Sequence, residues 1–244
     1  MQTRIAGLVA QFRAEAAKAG AVVHETSTFE GICNYVLKLA QERNVKRVVK
    51  SYSKVADVIN LRGHIESAGI EVIETDFKQW LVQLSGGKQA GRRTIGQVAN
   101  LISQASGQNL APDPQVLLNA ANRTIKQYCI DADMGISEAG AAIAETGTLV
   151  ILGNEGVSRL VAVLPRIHVT LVEAQCVVTA MEDVFNKLKK RTGNKTGQAV
   201  PSYVTYITGR NTTADIPGAV LARAQGPAEE HIVIMNKTAG GGTA

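Results

Sequence analysis

Apolar residues near the start of the chain recur at helical spacing. Ile5, Leu8, Val9 and Phe12 predict an amphipathic helix over Thr3 to Ala19, stopped by Gly20. A short strand is expected at Ala21 to Glu25. Thr28 can cap the next helix, whose stripe Phe29, Ile32, Cys33, Val36, Leu37 and Ala40 is predicted to face the core. Val45 to Lys50 reads as a strand. Ser53 caps a helix carrying Val55, Val58 and Ile59 that ends before Gly69, and Ile70 to Ile73 is a strand again. This alternation implies a parallel sheet with right-handed crossovers.

From Phe77 to Gly107 the pattern loosens. Ser85-Gly86-Gly87-Lys88 lacks the wider glycine spacing and the Ser/Thr of a phosphate loop, so it reads as a helix end and turn. Ile95, Val98, Ala99 and Ile102 mark a helix, and Asp113 can cap another running to about Ala132. The densest apolar runs lie in Ile143 to Val169. Ala141 to Ala144 and Leu149 to Leu152 have strand length and flank Glu-Thr-Gly-Thr, which predicts a hairpin turning at Thr146-Gly147. The run Leu160 to Leu164 is closed by Pro165 and followed by a strand-like Ile167 to Val172. Val178, Met181, Phe185 and Leu188 predict a helix up to Gly193. Tyr203 to Thr208 and His231 to Met235 read as strands, and Ala219 to Ala222 is a short apolar run. The predicted fold class is α/β: a mainly parallel sheet with flanking helices and an antiparallel hairpin near Glu145. The expected organisation is an N-terminal helix and short strand over 1–27, one α/β domain over 28–237, and a flexible tail over 238–244.

Composition narrows the partners. Aromatics are only 4% of the 244 residues, so the core is built from Ala, Val, Ile and Leu, and a base-stacking surface for nucleic acid is not expected. The net charge of +5 leans weakly toward anionic ligands. The basic cluster Lys187, Lys189, Lys190 and Arg191 reads first as a solvated helix end that complements the dipole. Cys33, Cys129 and Cys176 are scattered, with no Cys-x-x-Cys, so a disulfide framework, a zinc finger and a ferredoxin-type cluster are unsupported. His24, His64 and His231 show no metal-ligand spacing. No signal-length or membrane-spanning apolar run is seen, so the expected location is cytoplasmic.

Six polar residues lie at or near the ends of apolar runs, where open sheets expose their polar groups: Glu145, Thr148, Asn154, Arg159, His168 and Asp215. Glu145 is either an acid, base or anion at a strand end, or a turn carboxylate bonded to backbone N–H groups. Arg159 either grips a carboxylate or phosphate with its fork, or forms an internal pair with Glu145, Glu155 or Asp215. On residues alone His168, inside an apolar strand, reads as a satisfied core histidine. The expectation to test is that these six converge on one pocket at the sheet edge.

The string AIAETGTLVI-x-x-NEG-x-x-RL-x-x-x-LP-x-x-H, Ala142 to His168, resembles the LUD domain of the lactate-utilisation proteins of the B and C types. So do TG-R-N-T-TADI-P at Thr208 to Pro217 and GP-A-E-EHIVI at Gly226 to Ile234. The likeness runs from about Phe29 to Ile234. It implies a Rossmann-like layout of the sugar-isomerase and CoA-transferase superfamily, and a component of L-lactate oxidation that passes electrons to iron–sulfur partner proteins. It also implies catalytic roles for Glu145 and His168. Thr148, Asn154, Arg159 and Asp215 would bind a small anionic molecule, lactate or a related carboxylate. No cofactor or metal is expected in this chain, iron–sulfur clusters are expected only in partner proteins, and an oligomer is allowed. Two positions depart from the family pattern: Thr212 stands where an arginine is usual, with Arg210 close by, and Pro217 stands where a glutamate is usual. The cysteine motifs that follow the LUD domain in the B-type proteins are missing. Two rival readings stay open. One is a self-sufficient enzyme on a sugar phosphate or CoA ester, using Glu145 and Arg159. The other is a non-catalytic binding or regulatory component.

Overall fold

Side-chain caps set where most of the helices start. In the computed structural model, residues 2–87, 93–153, 157–192, 203–210 and 226–236 are described. Helix α1 (Gln2–Lys18) leads to strand β1 (Val22–Thr26), and α2 (Phe29–Glu42) follows, with Thr28 Oγ1 accepting from the Gly31 N–H. Ile32, Cys33, Val36, Leu39 and Ala40 are the buried positions of α2. Phe29 shares that face but sits in the first turn and is 44% exposed, which corrects one member of the expected stripe, while Leu37 is partly buried and packs against the core. After β2 (Arg47–Lys50) the single helix expected from the pattern is two, α3 (Lys54–Val58) and α4 (Leu61–Ser67). They break at Asn60, which adopts φ +47°, a left-handed conformation that asparagine tolerates better than most residues.

Strand β3 (Glu71–Glu74) precedes α5 (Phe77–Leu84), which Asp76 caps by accepting from the Lys78 and Gln79 N–H groups. Helix α6 (Ile95–Ser106) opens with a Thr94/Gln97 capping box, and α7 (Pro114–Asp131) is capped by Asp113 as expected. Then come β4 (Met134–Glu138), the hairpin β5 (Ala141–Ile143) and β6 (Thr148–Gly153), α8 (Val157–Val163), β7 (Ile167–Glu173), β8 (Val177–Val178), α9 (Met181–Thr192), β9 (Tyr203–Thr208) and β10 (Glu229–Met235). The run after Arg159 is therefore helical, with Val157, Val161 and Ala162 buried.

The main sheet has six strands in the order β1-β10-β7-β4-β2-β3, all parallel. A second sheet, β8-β5-β6-β9, contains the predicted hairpin, and β9 extends it antiparallel to β6. Helices α2 and α4 cover one face of the main sheet, over Val48, Val72, Ile136 and Val169. Residues of α5 to α8 cluster with Val49 and Ile73 of the other face, and α1 with Ala142 and Leu149 packs on Val172, Ile232 and Ile234. With both faces covered, the central strands β7 and β10 are buried along nearly their whole length, polar residues included. The chain leaves β2 through α3 and α4 toward β3, and leaves β4 by the hairpin and α8 toward β7. The two neighbouring strands are thus continued in opposite directions, and this reversal is where open sheets leave a crevice at their carboxyl ends. Among the described residues no helix is long and apolar enough to cross a membrane.

Candidate functional site

Lys50, Glu74 and Glu138 are the last residues of β2, β3 and β4, and all three are polar. Lys50 is 1% exposed. Its ammonium lies 3.1 Å from Asp57 Oδ1 and 3.0 Å from Glu74 Oε2, and donates to the Ser51 carbonyl. The Glu74 contact is a charge pair without aligned hydrogen-bond geometry, since Oε2 has no hydrogen-bond partner among the described residues. Burial pushes the Glu74 carboxyl up, opposed by Lys50. Glu138 Oε2 accepts from Ser53 Oγ at 2.7 Å and from the Val55 N–H at 3.1 Å, so this carboxylate spans the reversal point and closes the head of α3.

Outside these strand ends is a crevice of about 260 Å³, lined by Ser51, Tyr52, Thr75, Asp76, Lys78 and Glu138, with Gly153 and Ser158 on its far wall. A Cβ on Gly153 would lie 1.9 Å from Ser158 Oγ, so a side chain there would force the Ser158 hydroxyl at the first turn of α8 to turn away. The crevice offers hydroxyls, one ammonium, and two carboxylates that each keep one oxygen free of hydrogen bonds among the described residues.

One residue further along α8, Arg159 faces a different space. A groove of about 540 Å³ between α8 and β9 is lined by Arg159, Val163, Tyr203, Tyr206, Thr208 and Arg210, among others, and no acidic side chain among the described residues lines it. Arg159 is exposed and makes no hydrogen bond or ion pair among the described residues. A hydroxyl chain reaches this groove from the hairpin turn: Thr146 Oγ1 lies 2.7 Å from Thr148 Oγ1, which lies 2.8 Å from Thr208 Oγ1.

Of the six residues singled out by sequence, Arg159 lines this groove and Thr148 reaches it through Thr208. Glu145 is exposed on the turn, which rests against the last turn of α1, and only its backbone N–H is bonded among the described residues, to the Thr179 carbonyl. His168 is fully enclosed. Its Nδ1 lies 2.8 Å from Glu230 Oε2 and its Nε2 lies 2.8 Å from Ser137 Oγ, while Thr170 Oγ1 donates to Glu230 Oε1 at 3.1 Å. With both ring nitrogens engaged, His168 opens onto neither the crevice nor the groove. Asn154 and Asp215 lie outside the described residues, as do Thr212, Pro217 and the run Ala219 to Ala222. Sequence reasoning passed over Ser51, Thr75, Asp76, Lys78 and Glu138. The available signal was the polar residue directly after each strand of the first half, where carboxyl ends in open sheets carry sites.

Among the described residues no three His, Cys, Asp or Glu side chains are grouped to hold a metal ion. Cys33 and Cys129 are buried, and burial pushes the Cys129 thiol up to about 12.

The parallel sheet, its two helical layers and the crevice at the reversal point define a Rossmann-like α/β protein. More particularly, the chain belongs to the LUD domain family, which matches residues 9–235. It is 30% identical over 233 residues to Lactate utilization protein B of Geobacillus sp. (strain WCH70), covering 93% of this chain and 47% of that protein. Lactate utilization protein B of Bacillus subtilis (strain 168) is 28% identical over the same length and coverage, 233 residues, 93% and 47%. The chain thus spans about half the length of these relatives. A crystal structure of a DUF162 family protein from Deinococcus radiodurans shares the fold, with a TM-score of 0.53 at 13% identity over 95% of this chain and 98% of that one.

Proposed function

We propose that the chain acts in lactate utilisation as the component that binds a small anionic carboxylate, lactate or a related acid, and works with iron–sulfur partner proteins that carry the electrons. The lactate part is supported by relatives named Lactate utilization protein B, similar along 93% of this chain. The observation that carries the binding part is Arg159. Among the described residues its guanidinium is unpaired, on a groove lined by hydroxyls and by no acid. Such a fork can take a carboxylate in two parallel bonds without first breaking a pair to any of the described residues. Thr208, steadied by Thr148, is available to the acid's own hydroxyl. Asn154 and Asp215 remain candidate contacts in this reading. Glu145 and His168 take no part in it.

Calorimetric titration with L-lactate, on the wild type and on Arg159→Ala, tests the binding. Loss of a charged hydrogen bond is expected to weaken affinity about tenfold to a hundredfold with the melting temperature unchanged. Equal affinity, or a large loss of stability, overturns the role of Arg159. In the same reading the chain itself carries no cluster, so stoichiometric iron and sulfide in anaerobically purified protein would count against it. Co-purification with mass identification tests the partners.

A second reading, catalysis by the chain alone on an anionic small molecule, is favoured by the crevice, where Asp76 and Glu138 each keep a free oxygen among the described residues, near Lys78. Turnover by the isolated chain that Glu138→Gln abolishes would support it.

A further inference from the structure

Beside the edge strand β1, one side of α2 overhangs a cleft of about 620 Å³ that neither of the sites above uses. A chain of polar groups ends in it. Arg43 Nε donates to both carboxylate oxygens of Glu229, at 3.0 and 2.9 Å. Glu229 Oε2 lies 3.3 Å from His231 Nε2, and His231 Nδ1 lies 2.8 Å from Tyr35 Oη. The directions of these bonds follow from the end groups. Burial alone would push the Glu229 carboxyl up, but Arg43 and His231 outweigh it and hold it below its ordinary value, so Glu229 only accepts. His231 must then carry its proton on Nε2. Burial holds the imidazole below its ordinary value, so it is neutral and Nδ1 accepts from the phenol. The Tyr35 phenol, pushed up chiefly by burial, keeps its proton and commits it inward.

The phenolic oxygen therefore keeps lone pairs for a donor arriving from the cleft. The His24 ring, stacked on Tyr35 at 4.4 Å and 14°, fixes the phenol in place. The two terminal nitrogens of Arg43 have no hydrogen-bond partner among the described residues, and Lys38 stands at the rim, 76% exposed and 3.8 Å from Glu42, the acid that also lines the cleft and that a ligand carboxylate would displace from Lys38. Acceptor, imidazole and cations thus converge on a space within the usual size range of small-molecule sites, with apolar Val22 and Leu39 beside them.

We propose that the cleft between α2 and β1 is a second ligand site, for a polyhydroxylated carboxylate of sugar-acid size. A ligand hydroxyl donates to Tyr35 Oη and its carboxylate meets Arg43 and Lys38. The assignment does not rest on the Arg159 reading.

The test uses the full chain with labelled histidines, followed by NMR at the His231 and His24 rings during titration with gluconate. Hexanoate, an acid with the same number of carbons and no hydroxyls, is the comparison. Gluconate should shift both rings saturably, and hexanoate should bind at least about tenfold more weakly. Tyr35→Phe should weaken gluconate by about tenfold at an unchanged melting temperature. No ring shift with gluconate, equal binding of hexanoate, or full affinity in Tyr35→Phe would overturn the assignment. If Tyr35→Phe does not fold, Lys38→Gln on the exposed rim replaces it, with weakened gluconate expected and full affinity counting against the site.

Discussion

Removing the Glu230 carboxylate should separate a structural His168 from a catalytic one. Glu230 is 1% exposed and accepts two hydrogen bonds, from His168 Nδ1–H at 2.8 Å and from Thr170 Oγ1 at 3.1 Å. Glu230→Ala strands both donors in a region closed to water, at about 1–3 kcal/mol for each. It also opens a space that the sheet cannot fill. The expected loss is about 3–5 kcal/mol, the usual result of breaking a buried network by deleting one member. Glu230→Gln keeps the shape and one acceptor for the imidazole, and Thr170 can turn to accept from the new amide, so about 1 kcal/mol is expected. Urea denaturation at neutral pH measures both, provided the slope with denaturant stays the same. Equal costs for the two variants, or less than about 1 kcal/mol for alanine, would refute the reasoning. Loss of ligand binding at full stability would do so more directly, by making the network a site.

Other outcomes follow from single contacts. His231 is held below its ordinary 6.5 chiefly by burial, so as pH falls the unfolded chain takes up the proton first; stability should be full above 6.5 and decline below it. His231→Gln should flatten that decline in urea midpoints taken across the range, and an unchanged slope would exclude His231 as its source. Gly147→Ala should cost more than about 2 kcal/mol in thermal unfolding, because φ is +65° and the new Cβ would lie 2.3 Å from the Ala16 backbone nitrogen. Val36→Asp buries a charge at a position of 0% exposure and should lower stability by several kcal/mol; an unchanged melting temperature would mean that this face of α2 is not in the core. Burial raises the thiols of Cys33 and Cys129, so a colorimetric thiol reagent should find at most Cys176 quickly in the native protein and all three after denaturation.

Elements were legible where local chemistry decides them. Thr28, Ser53 and Asp113 cap the helices that their positions predicted, and the Thr146-Gly147 turn joins the expected strands. The division of α3 from α4 was not legible, because Val55, Val58 and Ile59 fit one continuous helix and nothing in the spacing demands a left-handed Asn60. The membership of β9 in a second sheet was equally hidden, since alternation shows that Tyr203 to Thr208 is a strand but not which strand it pairs with. For the site, Arg159 was visible as a cation beside an apolar run, and its groove supplies the surroundings. His168 was visible both as a core residue and as a motif residue. The partners that favour the core reading, Glu230 and Ser137, lie 62 and 31 residues away along the chain and come together only through strand pairing. The crevice residues were overlooked because each is an ordinary polar residue after an ordinary strand. Only the strand order shows that the ends of β2 and β4 are neighbours.

That enclosed histidine also bears on how the strands find their register. On a sheet with one wet face, a slip of one residue is penalised at once, because every side chain changes sides. Here both faces are dry. Ile232 and Ile234 point to one layer and Val233 and Met235 to the other, so a shifted β10 would exchange one aliphatic set for another of similar volume. Burial alone hardly discriminates between the two pairings. The polar residues do, since the native alignment sets His168 beside Glu230 on one flank and beside Gly135, two residues before Ser137, on the other. Slipping by one would leave Glu230 facing Ile167 or Val169 with its charge unmatched, a penalty of several kcal/mol. A few hydrogen-bonded groups in the middle of an aliphatic sheet thereby act as its alignment marks.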